Sequence, residues 1–169
     1  YVSGNLGDSY LGLLVLKNKI KLNKLLSKYF INQYYKPNIQ FKLIKELKKF
    51  ANTSIDISDG LLTDLDKLIN NQNLSYKLNL KSIPISKKLK KVLDVKKLSK
   101  INYISKGDDY QILFTASKFN CRIINAISLK LRTKITKIGK IQNNDHGSSI
   151  VDHNNAAIYV KNKGYIHSF

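Results

Sequence analysis

The sequence is poor in several residue types, and each shortage excludes a class of protein. Its 169 residues include a single cysteine, Cys121, which excludes a disulfide framework and a cysteine-based metal site. No apolar run approaches the roughly 20 residues that a membrane-spanning helix needs, and no secretory signal is visible. We therefore expect a cytoplasmic protein with no membrane partner. Methionine is absent and the chain opens on YVSG, from which we expect a C-terminal portion of a longer protein.

Negative charge is also scarce, with 11 Asp and Glu residues against 30 Lys and Arg and a formal net charge of +19. Such a balance raises the expectation of nucleic acid or an acidic membrane as a partner. Only Arg122 and Arg132 are arginines, however, and the lysines are spread along the chain. Because specific base and phosphate readers rely on arginine, we expect a solvated lysine surface and no specific nucleic acid partner. A basic nucleic-acid-binding module is the less favoured alternative.

Apolar residues recur at helical spacing in some segments and alternate in others, which predicts an α+β fold: a layered α/β sandwich with a mixed sheet and flanking helices. The hydrophobic fraction of 43% is enough for one core. The predicted strands are 1–3, 53–58, 74–80, 110–116, 133–141, 148–152 and 156–160, with the last ones antiparallel. The predicted helices are 9–18, 22–35, 39–51, 60–69 and 121–131, with one or two short helices in 86–100 and Asp8 or Ser9 as the first N-cap.

The few acidic residues concentrate in SIDISDGLLTDLD, residues 54–66, which contains four of them. Alternation places Asp56 and Ser58 on one face of a strand end, and Asp59 then lies beside Gly60 where the chain turns into a helix. The free N–H groups of a helix start attract anions, whereas carboxylates repel them. Mg²⁺ resolves that conflict, because it takes carboxylate and phosphate oxygens together. The pattern favours half of a metal–nucleotide site, with helix capping for stability as the alternative.

The other polar segments fit structural roles. Asp64 and Asp66 are expected to lie on the solvent-facing side of the helix that follows. In KGDDYQILF, Asp108 and Asp109 directly precede an apolar strand. They are interpreted either as part of a strand-end turn or as functional residues at the edge of a sheet. The segment SGNLGDS, residues 3–9, has glycines near a helix start but lacks the Walker pattern GxxxxGK[ST], so we interpret it as a structural turn.

Four segments occur in a recognisable order: VSGNLGDS, SIDISDGLLTDL, GDDYQILF and the terminal KGYIHSF. Together they resemble the C-terminal half of thiamine-monophosphate kinase, in the ATP-binding superfamily that also contains aminoimidazole ribonucleotide synthetase and selenophosphate synthetase. The resemblance implies Mg²⁺-assisted transfer of the γ-phosphoryl of ATP to thiamine monophosphate. Residues 1–169 would be the C-terminal domain of a two-domain kinase, a homodimer at full length, and this chain without its N-terminal ATP- and metal-binding domain would be inactive. The two synthetases remain alternatives.

The same resemblance implies roles for individual residues, and none of them is a catalytic nucleophile or base. Asp56 and Asp59 resemble Mg²⁺ ligands, and Ser58 resembles a contact of ATP. Asp108 and Tyr165 resemble contacts of the thiamine substrate. Two departures matter: the family often has Glu at the position of Asp108, and its tail commonly reads GYDHF where this chain has GYIHSF, with one extra residue.

Overall fold

The structure, a computed structural model, describes residues 1–70, 72–145, 147–160 and 164. The strands are β1 (Val2–Ser3), β2 (Ala51–Asp56), β3 (Leu74–Asn79), β4 (Ile112–Ala116), β5 (Ile135–Thr136), β6 (Gly139–Asn143) and β7 (Ser149–Val151). The helices are α1 (Asp8–Leu16), α2 (Lys24–Tyr35), α3 (Phe41–Ile44), α4 (Leu61–Leu68), α5 (Lys87–Lys96), α6 (Ile101–Ile104) and α7 (Cys121–Leu131). Short 3-10 helices cover Leu47–Lys49, Leu80–Ser82 and Lys118–Asn120. Over these residues, no helix has the length and apolar character to cross a membrane.

The strands form two sheets. The first has the order β2-β4-β1-β5, and all of its neighbours run antiparallel. The second has the order β6-β3-β7, in which β3 pairs antiparallel with β6 and parallel with β7. The predicted α+β class with helices flanking a mixed sheet is confirmed, although the strands divide between two sheets.

Three hydrophobic clusters hold these elements together. The largest contains the apolar side of α4 with Ile57, Tyr76 and Leu113, and it therefore joins α4 to both sheets. A second cluster packs α1, α2 and α5 around Phe30, and a third packs α3 and α7 against Phe114 of β4. The end of β2, the start of α4 and the start of β4 are consequently fixed against one core, and the acidic segments lie at these ends.

Several predicted elements differ from the structure. The strand expected over 133–141 is divided into β5 of the first sheet and β6 of the second. The helix expected over 39–51 is divided into α3 and a 3-10 turn, and Ala51 instead begins β2 because it pairs with Ala116 of β4. The closing segments 148–152 and 156–160 meet antiparallel as expected, but β7 itself joins its sheet by running parallel to β3. The segment 156–160 forms no strand and contributes a single bridge, between Ala157 and Val151.

The first N-cap prediction was also wrong. Gly7 caps α1 with a left-handed φ of 86°, a conformation that favours glycine. Asp8 belongs to the first turn and faces inward, where its Oδ1 accepts from the Ser86 hydroxyl at 2.7 Å and its Oδ2 accepts from the Tyr29 hydroxyl at 2.9 Å. Asp8 thus ties α1 to α2 and to the start of α5, whereas capping falls to the glycine backbone.

Candidate active site

Two acidic segments that are about fifty residues apart in sequence lie side by side. We call residues 56–60 the SDG loop and residues 106–110 the GDD loop. The Asp108 N–H donates to the Ser58 carbonyl at 2.9 Å, and the Tyr110 N–H donates to the Ile57 carbonyl at 2.9 Å. Because β2 and β4 are antiparallel, the end of one strand meets the start of the other. The antiparallel pairing therefore brings both acidic segments to one edge of the first sheet.

The contact between the loops depends on two glycines. A Cβ on Gly60 would lie 2.3 Å from the Ser105 carbonyl oxygen, and a Cβ on Gly107 would lie 2.1 Å from the Ser58 carbonyl oxygen. Both glycines also have positive φ angles, 119° and 77°. Any other residue would clash with the facing backbone, so the close approach of the SDG and GDD loops requires glycine at both positions.

Asp64, in the first turn of α4, fixes the shape of the SDG loop. The prediction that it lies exposed on the polar face of α4 was wrong. Its side chain is fully buried. Oδ2 accepts from the backbone N–H groups of Ser58 at 3.0 Å, Asp59 at 2.9 Å and Gly60 at 3.1 Å. These amides were expected to be free to bind an anion, but they donate to a carboxylate of the same chain. Asp64 therefore fixes the loop that carries the predicted ligands.

Asp66 was also expected on the solvent-facing side of α4, but it is half-buried. Its carboxylate is bonded to the Tyr76 hydroxyl. Burial, followed by the charge of Asp66, raises the pKa of Tyr76 above its ordinary value. Asp66 therefore links α4 to β3, which makes it a poor choice as an inert control for mutations in the SDG loop.

The two predicted metal ligands differ in their surroundings. Asp56 ends β2 and is exposed, whereas Asp59 is half-buried and forms an ion pair with Lys67. The same ammonium contacts Asp64 Oδ1 at 3.0 Å, and hydrogen bonds first to Asp59 and then to Asp64 raise the pKa of Lys67. Across the described residues, no group of three or more His, Cys, Asp or Glu is placed to hold a metal ion. Two carboxylates fit the one or two that Mg²⁺ takes from a protein alongside phosphate oxygens.

The predicted substrate contact lies beside these carboxylates. Burial, and then the charge of Asp59, raises the pKa of Asp108. Tyr110 is 39% exposed, and its pKa is raised by burial and then, among the carboxylates, by Asp108, Asp56 and Asp59. The structure thus brings the three acidic residues singled out by the sequence around one tyrosine. The repulsion between Asp59 and Asp108 is the kind that a bound cation relieves.

The C-terminal tail reaches this edge at one described position. A Cβ on Gly164 would lie 2.0 Å from Thr63 Oγ1 and 2.6 Å from the Asp59 carbonyl oxygen, so the Gly164 backbone packs directly on the SDG loop and the start of α4. Tyr165, the second predicted substrate contact, lies outside the described residues.

The glycine turn, residues 4–8, plays a part in the site that was not predicted from the sequence. Asp109, which is 4% exposed, accepts from the Gly7 N–H at 2.7 Å, and the Ser9 N–H is a second donor to it. The segment interpreted as a structural turn therefore supports the GDD loop from the side opposite the SDG loop.

The buried carboxyl of Asp109 should titrate near neutral pH. Burial raises its pKa from 3.8 to about 8, and the negative charges of Asp8 and Asp108 act in the same direction. The native state then binds this proton more tightly than the unfolded state, so its contribution to stability falls as the pH rises from about 4 to about 8. We expect the Asp109 carboxyl ¹³C resonance, assigned by its loss in Asp109→Asn, to titrate with a midpoint near 8. Across the same pH range, the free energy of unfolding of the parental protein should fall relative to that of Asp109→Asn. A midpoint near 4 would contradict the prediction.

The chain is similar over its whole length to known enzymes, although no protein-family model matches it. It is 35% identical over 169 residues to thiamine-monophosphate kinase of Buchnera aphidicola subsp. Acyrthosiphon pisum, covering 99% of this chain and 51% of that protein. It is 33% identical over 119 residues to thiamine-monophosphate kinase of Aquifex aeolicus, covering 70% of this chain and 39% of that protein. The resemblance to thiamine-monophosphate kinase is thereby confirmed. This chain spans about half the length of the first of these curated relatives.

Solved structures of thiamine-monophosphate kinases are similar in fold to this chain. The enzyme of Stenotrophomonas maltophilia K279a superposes with a TM-score of 0.78 at 27% identity, covering 88% of this chain and 48% of that one. AaThiL complexed with AMPPCP and TMP gives a TM-score of 0.76 at 27% identity, covering 98% and 50%. HypE of E. coli, a hydrogenase maturation protein, gives 0.70 at 14% identity and covers 95% and 48%, which supports the fold alone.

Proposed function

We propose that the protein to which this chain belongs is a thiamine-phosphate kinase that transfers the γ-phosphoryl of ATP to thiamine monophosphate, forming thiamine diphosphate. The observation that carries the proposal is the convergence of Asp56, Asp59 and Asp108 at one sheet edge, in a chain similar throughout to thiamine-monophosphate kinases. The solved complex of AaThiL with AMPPCP and TMP supports an ATP co-substrate and a thiamine monophosphate acceptor.

The proposed roles of individual residues come from the resemblance to thiamine-monophosphate kinase. Asp56 and Asp59 would hold Mg²⁺, Ser58 would contact ATP, and Asp108 and Tyr165 would contact the thiamine substrate. Bound Mg²⁺ would supply positive charge that neutralises the phosphate oxygens. Asp64 holds the SDG loop in place through the backbone amides, and Lys67 holds the Asp59 carboxylate towards α4.

Phosphoryl transfer fits a sequence in which no catalytic nucleophile or base is predicted. The reaction needs positioning and charge neutralisation more than covalent participation by the protein. Its donor and acceptor are both anions, so a lysine-rich surface would favour their encounter with the enzyme. The carboxylates at the sheet edge, in a chain of net charge +19, can accordingly bind phosphate groups when Mg²⁺ bridges the carboxylate and phosphate oxygens.

We further propose that this chain is the C-terminal domain of a two-domain enzyme whose other half supplies most metal ligands and much of the ATP site. The chain covers about half of its curated relatives, and the described carboxylates provide fewer ligands than a complete metal site needs. A homodimer in the cytoplasm is the expected form of the full-length protein.

An acceptor assay tests the proposed function. The full-length protein, incubated with ATP and Mg²⁺, should convert thiamine monophosphate to thiamine diphosphate, and the isolated 169-residue chain should not. The acceptors of aminoimidazole ribonucleotide synthetase and selenophosphate synthetase serve as controls and should stay unchanged. Turnover of either control acceptor, with none of thiamine monophosphate, would transfer the assignment to that relative. Turnover by the isolated chain would refute the division of the site between two domains.

A further inference from the structure

The GDD loop has a backbone that cannot hold its shape alone. Gly107, Asp108 and Tyr110 all have left-handed φ angles, 77°, 59° and 49°. For residues with a Cβ this conformation is unfavourable, and it persists only where surrounding contacts impose it. The position of Asp108 therefore depends on whatever fixes this loop on its two sides.

One side is fixed by the SDG loop and the other by the glycine turn. Towards the SDG loop, the N–H groups of Asp108 and Tyr110 donate to backbone carbonyls. Between these two residues, the Asp109 carboxylate points the opposite way and accepts from Gly7 at 2.7 Å. The GDD loop is thus clamped between two backbone segments, and Asp109 is its side-chain link to the glycine turn.

The charges around Asp109 indicate that its role is the hydrogen bond to the glycine turn and not an ion pair. A polar cleft of about 380 Å³ adjoins it, and none of the described residues that line this cleft is a lysine or arginine, in a chain with 30 of them. The charged groups that face Asp109 are the carboxylates of Asp8 and Asp108. Among the described residues no cation pairs with the Asp109 carboxyl group. We therefore attribute its burial to its hydrogen bonds with the start of α1.

We propose that Asp109 is a positioning residue, which sets the place of Asp108 in the active site by fastening the GDD loop to the glycine turn. The proposal rests on the proposed function in that Asp108 contacts the thiamine substrate. Asp109 itself faces the interior and would not touch either substrate. Its loss should therefore displace the substrate contact, while Ser58 and the predicted metal ligand Asp59 keep their anchor at Asp64.

The test compares Asp109→Ala with Asp109→Asn in the full-length enzyme. Alanine removes the acceptor, and we expect the KM for thiamine monophosphate to rise about tenfold or more, since a misplacement of about 1 Å can cost ~100-fold. The KM for ATP should stay within about twofold of the parental value, because its site is anchored separately. Asparagine keeps an acceptor oxygen for the Gly7 N–H and should restore most of the affinity. Asp94→Ala, an exposed acid of α5, is the matched control and should leave both values unchanged.

Two outcomes would overturn the proposal. Parental KM values in Asp109→Ala, with only a lower unfolding temperature, would leave Asp109 a purely structural residue. Equal losses in the Ala and Asn variants would show that the acceptor oxygen is not what matters. Failure of the proposed function is separate, because it would appear as parental enzyme inactive towards thiamine monophosphate. In that case, hydrogen exchange at the Gly7 amide decides: faster exchange in Asp109→Ala supports the link, and unchanged exchange refutes it.

Discussion

Asp64→Ala should destabilise the full-length protein by about 3 kcal/mol and abolish most of its activity. The carboxylate accepts from the N–H groups of Ser58, Asp59 and Gly60, and it also contacts the Lys67 ammonium. Hydrogen bonds to a charged group contribute about 1.5–3 kcal/mol each, but water can reach the half-exposed part of this loop and offset some of the loss. The SDG loop would then lose its shape together with its stability. Urea unfolding and steady-state kinetics measure the two effects.

Two companion variants make the Asp64 result specific. Asp64→Asn retains one acceptor oxygen for the loop amides and should lose roughly half as much stability as the alanine variant. Asp94→Ala makes the same change at an exposed helical site and should alter stability by no more than about 0.5 kcal/mol. If Asp64→Ala unfolds at the same urea concentration as the parental protein, the carboxylate does not organise the loop.

Asp56→Asn should leave the fold intact and lower kcat/KM by roughly 100-fold at limiting Mg²⁺, the upper end of what disturbing a metal site costs. Asp56 is exposed at the end of β2, and asparagine preserves its shape while removing its charge. A weakened metal site should also fill at higher metal concentration, so part of the activity should return as Mg²⁺ is raised. Thiamine diphosphate formation measured over a Mg²⁺ series shows both effects.

The control for this experiment must be an acid with no structural contact. Asp66 is unsuitable because its carboxylate bonds to the Tyr76 hydroxyl. Asp94→Asn removes the same charge from an exposed position and should show parental Mg²⁺ dependence. If Asp56→Asn shows the same Mg²⁺ dependence as the control, Asp56 is not a metal ligand and has only a structural role at the end of β2.

Local pattern was sufficient for most elements of the fold. The apolar spacing of 121–131 predicted α7 with its observed bounds, and alternation placed Asp56 at the end of a strand. The predicted helix over 39–51 failed where a distant partner decided the outcome. Ala51 pairs with Ala116, and that long-range pairing overrides the helical spacing around Phe50.

Local pattern could not show which segments meet. The glycine turn, the SDG loop and the GDD loop follow one another along the chain at intervals of about fifty residues. The order of strands in the first sheet brings them together. The burial of Asp64 was missed for a similar reason. Helical periodicity gives the face on which a residue lies, but not that its carboxylate turns back to the amides of the preceding loop.

The most direct test of the central claim follows the labelled γ-phosphate of ATP in the full-length protein. With thiamine monophosphate and Mg²⁺ present, the account predicts that the label appears in the terminal phosphate of thiamine diphosphate, because the phosphoryl group passes directly from donor to acceptor. Label that appears only as free phosphate, with thiamine monophosphate unchanged, would contradict it.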